Sequence, residues 1–200
     1  MLLYYITDRK QFPGDETAQR KALLGRIAEA ARCGVDFIQL REKDLSVRDL
    51  ESLACEAVRL VRAAQTHTRL LINSRTDVAI ASQADGVHLR SEDVFSEIVR
   101  SMLPNSVIGV SCHDVKEVMR AASNAATFAV LAPVFEKQGN RPTGLQTLAI
   151  ACSLKIPVLA LGGVTLENFK TCLTMKAAGL AGIRLFQNGD IKETVARLRA

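Results

Sequence analysis

Residues 70–89 read LLINSRTDVAIASQADGVHL. Leu70 to Ile72 is a short apolar run, a polar stretch follows, Val78 to Gln83 has helical spacing, and Gly86 to Leu89 is a second short run. A strand, a helix and a second strand in so few residues make a βα repeat, in which both strands lie in one parallel sheet. The alternation extends both ways. Its expected strands are Leu2 to Ile6, Phe37 to Leu40, Leu70 to Ile72, Gly86 to Leu89, Val107 to Val110, Phe128 to Leu131, Val158 to Leu161 and Ala181 to Leu185. Between and after them the spacing predicts helices over Thr17 to Cys33, Ser46 to Gln65, Val78 to Gln83, Val94 to Met102, Val115 to Asn124, Leu145 to Leu154, Leu166 to Met175 and Ile191 to Arg199. In the second helix Leu50, Leu53, Ala54, Ala57, Val58 and Val61 recur at spacings of three and four, a stripe suited to packing on a sheet. Gly34, Gly179 and Gly182 follow helices where a C-cap or a tight return is expected.

Eight βα units allow a closed barrel or a doubly wound open sheet, and spacing does not choose between them. No GxGxxG follows the first strand, which weakens the dinucleotide-binding alternative. The 200 residues fit one domain, 1–200, at the short end for an eight-unit barrel. Hydrophobic residues at 48% and charged residues at 24% supply a core and exclude extended disorder. The opening apolar run, MLLYYI, is six residues long, far below the ~18 needed for a membrane span. Neither a signal peptide nor a membrane partner is therefore expected. The five cysteines form no CxxC pair, which suits a reducing cytoplasm. A net charge of +5 is spread among acids, with 4% aromatic residues and no Trp, so anionic small molecules fit better than nucleic acid. Nothing here excludes a homo-oligomer.

In a barrel, chemistry belongs at the carboxyl ends of the strands. After strand 2, alternation puts Gln39, Arg41 and Lys43 on one side, an amide and two cations that an anion would answer. Strand 3 ends at Asn73, with Asp77 as N-cap of the next helix. Beyond strand 4, Asp93 is either an acid at a helix start or a cation ligand. Ser111 and His113 share a face after strand 5, with His113 suited to acid/base work. Gly162 and Gly163 follow strand 7, and Gln187 and Asn188 follow strand 8, where barrels often bind phosphate.

The ordered set YYITDR, QLREKD, LLINSRTDVAIASQADGVHL, GVSCH, PVF with PTGL, and PVLALGG resembles the thiamine phosphate synthase/TenI family along nearly the whole chain. The resemblance implies a single (β/α)8 TIM barrel and a role in thiamine biosynthesis. The implied reaction joins 4-amino-2-methyl-5-hydroxymethylpyrimidine diphosphate to thiazole phosphate with release of pyrophosphate. It further implies that Gln39, Arg41 and Lys43 hold the pyrimidine diphosphate, Asn73 the pyrimidine, and Asp93 a Mg2+ ion. Ser111 would face the reacting pyrimidine, while Gly162, Gly163, Gln187 and Asn188 would cradle the thiazole phosphate. Synthases usually carry Asn-Asp where this chain has Asn73-Ser74, and a Thr-x-Thr-Lys element where it runs Glu136, Lys137, Gln138, Gly139, Asn140, Arg141. Lys137 or Arg141 would then supply a phosphate contact. TenI-type tautomerases share Val134-Phe135-Glu136, with the base at the position of His113, whereas Lys43 and Asp93 favour the transferase. A non-catalytic thiazole-phosphate binder is the third reading.

Overall fold

The computed structural model describes residues 1–136 and 142–200, so the expectations at Lys137 and Arg141 lie outside the described residues. Eight parallel strands close in chain order: β1 (Leu2–Ile6), β2 (Phe37–Leu40), β3 (Arg69–Asn73), β4 (Gly86–Leu89), β5 (Val107–Cys112), β6 (Phe128–Leu131), β7 (Val158–Ala160) and β8 (Gly179–Gly182). The last strand pairs with the first, Leu2 to Tyr5 lying beside Gly179 to Gly182. Closure satisfies the backbone groups that an open sheet would leave bare at its edges.

The helices are α1 (Glu16–Arg32), α2 (Val47–Ala63), α3 (Thr76–Ala81), α4 (Ser96–Met102), α5 (Val115–Ser123), α6 (Gly144–Cys152), α7 (Phe169–Thr174), α8 (Arg184–Gln187) and α9 (Ile191–Arg199). Asp15, Ser46, Asp114 and Asp190 cap α1, α2, α5 and α9 through their side chains. Asp15, Ser46 and Asp114 each occupy one of the N–H groups that a helix start leaves without a partner, and Asp190 occupies two. The expected stripe of α2 is buried against the sheet.

Period-two alternation divides the strand residues between two layers. Leu3, Ile38, Leu40, Leu70, Ile72 and Val87 face the helices, while Tyr4, Ile6, Leu71, Phe128, Val130 and Leu159 fill the barrel. Deep in the barrel Phe37 and Phe128 stack at 5.1 Å, with Tyr4 edge-on to Phe128 at 5.4 Å. Gly109 makes room for them, since a β-carbon there would lie 2.6 Å from the Phe128 ring and 2.8 Å from His88 Nδ1.

Strand 8 departs from expectation. The apolar run Ala181 to Leu185 reads as extended, but β8 is Gly179–Gly182 and the chain turns into α8 at once. Contact with β1 decides this: a β-carbon at Gly179 would meet the Leu2 carbonyl oxygen at 2.1 Å, so only glycine fits beside Leu2. Gly179 and Gly182 therefore belong to a strand, whereas Gly34 does follow α1 with φ +77°. Asp77 lies inside the first turn of α3, paired with Arg75, and is not its cap.

Gly109→Ala should cost about 1–3 kcal/mol, because the added methyl group must displace a buried ring or imidazole. Urea unfolding measures this, and an unchanged midpoint would show that the interior can yield.

Candidate active site

Two buried acid–base contacts fix the end of β2. Glu42 turns away from the barrel axis, where its Oε1 accepts from the Thr7 hydroxyl at 2.6 Å and its Oε2 from the Arg9 backbone N–H at 3.0 Å and Arg9 Nη1 at 3.2 Å. Arg9 also donates to both carboxylate oxygens of Asp44 (2.7 and 2.9 Å) and of Glu16 (2.8 and 2.9 Å). Only 3% of the Arg9 side chain is exposed, so all its N–H groups must be spent inside the protein, and here they are. The hydrogen bonds from Arg9 hold the Asp44 carboxyl well below the usual carboxylate range.

Beyond the last residue of β2, Arg41 and Lys43 flank Glu42 in the loop, and the Arg41 charge acts on both Lys43 and the buried His88. Gln39 is buried and donates through Nε2 to Asn73 Oδ1 at 3.0 Å, and Asn73 Nδ2 donates to Ser74 Oγ at 3.2 Å. The Arg41 charge beside Lys43, then burial and Arg90, hold the Lys43 ammonium below its ordinary value. Cations crowded in this way are stabilised by an anion.

Beneath these cations lies an imidazole. His88 faces inward from β4, with Nδ1 3.0 Å from the Tyr4 hydroxyl and Nε2 2.8 Å from Ser111 Oγ. Burial, with the Arg41 charge adding to it, pushes His88 down to about 3, so it stays neutral. Ser111 is thus partnered by His88 from the neighbouring strand. His113 is exposed at the end of β5, its Nδ1 donating to the Ala132 carbonyl at 3.0 Å.

At β7 the chain turns through Gly162 (φ +93°) and Gly163 (φ +67°), left-handed conformations open to glycine. The carbonyls of Leu161, Gly162 and Gly163 are tied to Val134, Phe135 and Asn168. The N–H groups of Gly162 and Gly163 have no acceptor among the described residues. Next to this turn the β8 loop is Ile183 and the start of α8, the place where barrels of this kind offer backbone donors to phosphate. The strand-8 shift moves the expected contacts. Gln187 is buried at the far end of α8, accepting from Tyr5 Oη (2.9 Å) and donating to the Asp8 carbonyl (2.6 Å), and Asn188 is the exposed C-cap. Neither side chain reaches the turn from a loop as expected, because α8 intervenes.

For the Mg2+ that the family resemblance implies, Asp93 is the acid in place. Its Oδ1 accepts from Arg90 Nη2 at 2.9 Å and its Oδ2 from the Arg90 N–H at 2.8 Å. Burial works to raise it, but hydrogen bonds from Ser74 and Arg90 hold it below the usual range. Among the described residues no three His, Cys, Asp or Glu side chains converge on a metal site. One carboxylate and the Ser74 hydroxyl fit only an ion that takes the rest of its shell from phosphate oxygens and water.

A closed βα barrel with crowded cations after β2 and, among the described residues, backbone donors without acceptors after β7 has the build of an enzyme of the (β/α)8 class. Residues 3–186 match the family model described as thiamine monophosphate synthase. The chain is 36% identical to the thiamine-phosphate synthase of Roseiflexus sp. (strain RS-1), covering 91% of this chain and 76% of the relative. It is 35% identical to that of Clostridium novyi (strain NT), covering 95% and 93%. The solved thiamine phosphate pyrophosphorylase from Pyrococcus furiosus superposes with a TM-score of 0.84 at 30% identity, over 99% of this chain and 93% of the other. The chain belongs to the thiamine monophosphate synthase family.

Sequence reading passed over Tyr4, His88, Arg9 and Glu42. The one signal for His88 was a polar residue at an inward position of a four-residue strand. Nothing local marks Arg9, whose partners Glu42 and Asp44 lie 33 and 35 residues away.

Arg9→Met leaves buried Glu42 without its cation and should cost about 3–5 kcal/mol in urea unfolding. A loss below about 1 kcal/mol would show that Arg9 does not hold the loop. A second expectation concerns acid. Because His88 remains neutral down to about 3 while an unfolded histidine takes up a proton near 6.5, the unfolded chain binds more protons in that window. Stability should therefore fall with decreasing pH below about 6.5, by up to about 1.4 kcal/mol per pH unit from this residue. His88→Gln should flatten that part of the profile, and an identical slope in the variant would contradict the buried neutral state.

Proposed function

We propose that this protein is a thiamine-phosphate synthase, a transferase acting on phosphorylated small molecules in the cytoplasm. The observation that carries the reading is Arg41 and Lys43 after β2, where the Arg41 charge, then burial and Arg90, lower Lys43. Arg90 is paired with Asp93, but Arg41 and Lys43 have no ion-pair partner among the described residues and suit a polyanion. The pyrimidine diphosphate would seat its phosphates on Arg41 and Lys43 and its ring against the Gln39–Asn73 amide pair. The C–O bond to diphosphate breaks with its electron pair on the leaving group, and the thiazole nitrogen forms the new C–N bond. Fixed cations favour that step because the growing charge meets positive groups already in place. Mg2+, held by Asp93, Ser74 and the diphosphate itself, would add neutralising charge when bound. The Gly162 and Gly163 N–H groups would hold the thiazole phosphate and bring its ring to the pyrimidine carbon. All five cysteines are free, and no helix among the described residues is long and apolar enough to cross a membrane, which agrees with the cytoplasmic reading.

One observation favours a second reading. With Nδ1–H spent on Ala132, the other ring nitrogen of His113, Nε2, is left facing solvent, where a thiazole tautomerase base would have to stand. Purified protein given both substrates and magnesium should release pyrophosphate, with Lys43→Ala lowering the rate about 100-fold or more and His113→Ala leaving it within a few-fold. No release at high magnesium would remove the transferase. Thiazole isomerisation lost in His113→Ala and kept in Lys43→Ala would establish the tautomerase, and a rise in Tm with thiazole phosphate alone would leave a binder.

A further inference from the structure

At 2.8 Å, His88 Nε2 and Ser111 Oγ look like a base beside a nucleophile. The third member of the chain reverses that reading. The Tyr4 hydroxyl is fully buried, and among the described residues its one hydrogen-bond partner is His88 Nδ1 at 3.0 Å. A carboxylate, carbonyl or second hydroxyl would let the phenol hydrogen go elsewhere, but none is in reach, and the surrounding side chains are the Phe37 and Phe128 rings. If Nδ1 carried the imidazole proton, that phenol hydrogen would be left buried and unpaired, at a cost of about 1–3 kcal/mol. Tyr4 therefore donates to Nδ1. A neutral imidazole has one proton, so it must sit on Nε2 and point at Ser111. Ser111 Oγ accepts it, has no other protein partner among the described residues, and keeps its own hydrogen for the mouth.

We infer that Tyr4 and His88 are positioning residues that lock Ser111 as a hydrogen-bond donor to a ligand acceptor atom, so that Ser111 is neither a base nor an activated nucleophile. Its direction is set from below. The acceptor chemistry has two sources in the proposed substrate, a ring nitrogen of the aminopyrimidine or an oxygen of the diphosphate, and this choice of ligand rests on the synthase reading. The site would then favour an acceptor over an analogue that presents a donor there, because a ligand donor would take the second Ser111 lone pair and leave the hydroxyl hydrogen without a partner in a half-buried place.

Nitrogen-15 NMR of the histidine rings in the intact protein tests the lock without turnover. The expected spectrum has Nε2 protonated and Nδ1 bare in wild type, with an Nδ1-protonated fraction appearing in Tyr4→Phe. Binding of two probes locates the acceptor: inorganic pyrophosphate with magnesium, and unphosphorylated 4-amino-5-hydroxymethyl-2-methylpyrimidine. Ser111→Ala should weaken one of them by roughly tenfold, the equivalent of about 1.4 kcal/mol, and leave the other unchanged. Tyr4→Phe should weaken the same probe several-fold, and His88→Leu should match Ser111→Ala. His88→Gln should restore binding, since an amide can accept from Tyr4 and donate to Ser111 at once. Nδ1 protonated in wild type, or equal binding of both probes by wild type and Ser111→Ala, would overturn the proposal. Pyrophosphate release is scored separately: its absence, with the tautomer and the probe affinities as expected, would sink the synthase reading and leave the donor lock standing.

Discussion

Arg9 is an arginine with no water to speak to, and the loops around the mouth take their shape from that fact. Burying a guanidinium is costly unless every N–H finds an acceptor, and Glu16 at the start of α1 with Glu42 and Asp44 of the loop after β2 supply the acceptors. Drawing Glu42 and Asp44 to Arg9 has a consequence for their neighbours in the same loop. Both acids are spent on Arg9, so they do not serve as counter-charges to Arg41 and Lys43. The positive character of this loop is thus a by-product of how the protein neutralises a different, buried cation.

Polarity rises along the barrel axis in steps. Phe37, Phe128 and Tyr4 form an apolar floor, and His88, Ser111, Gln39 and Asn73 a layer of neutral dipoles above it. Arg41, Lys43 and Arg90 close the top. A low-dielectric floor makes the charges above it act more strongly on a ligand than the same charges would in water. Keeping the middle layer neutral also matters, since an imidazolium at His88 would be buried and face the Arg41 charge, which outweighs the opposing pull of Asp93. The small residue at 109 ties floor to middle layer, because the Phe128 ring and the His88 imidazole share the space a side chain would take.

What could be read from the sequence was what repeats or alternates. The strand positions and the inward side of the β2 end follow from period two, and the paired glycines after β7 announce a turn that only glycine makes easily. The eighth strand is not legible locally because its apolar run continues into a helix, and the glycine that begins it is selected by the Leu2 carbonyl, a neighbour 177 positions away. His88 and Arg9 were missed for a related reason: hydrogen-bond partners separated by 84 or 33 residues leave no local period. Gln187 was noticed for the right property, an amide near a strand end, but its hydrogen-bonding capacity is taken by Tyr5 and Asp8.

That last contact bears on how the molecule is made. Gln187 joins the end of the eighth unit to the loop of the first, across 179 residues, and β8 zips onto β1 beside it. On a ribosome the first loop, with Arg9 and Asp8, emerges early and waits. Until the final turn of chain arrives, β1 has one bare flank and Tyr5 a buried hydroxyl without an acceptor. The cationic mouth is therefore completed only once the eighth unit has emerged, and a chain without it would hold the parts of the site without their arrangement.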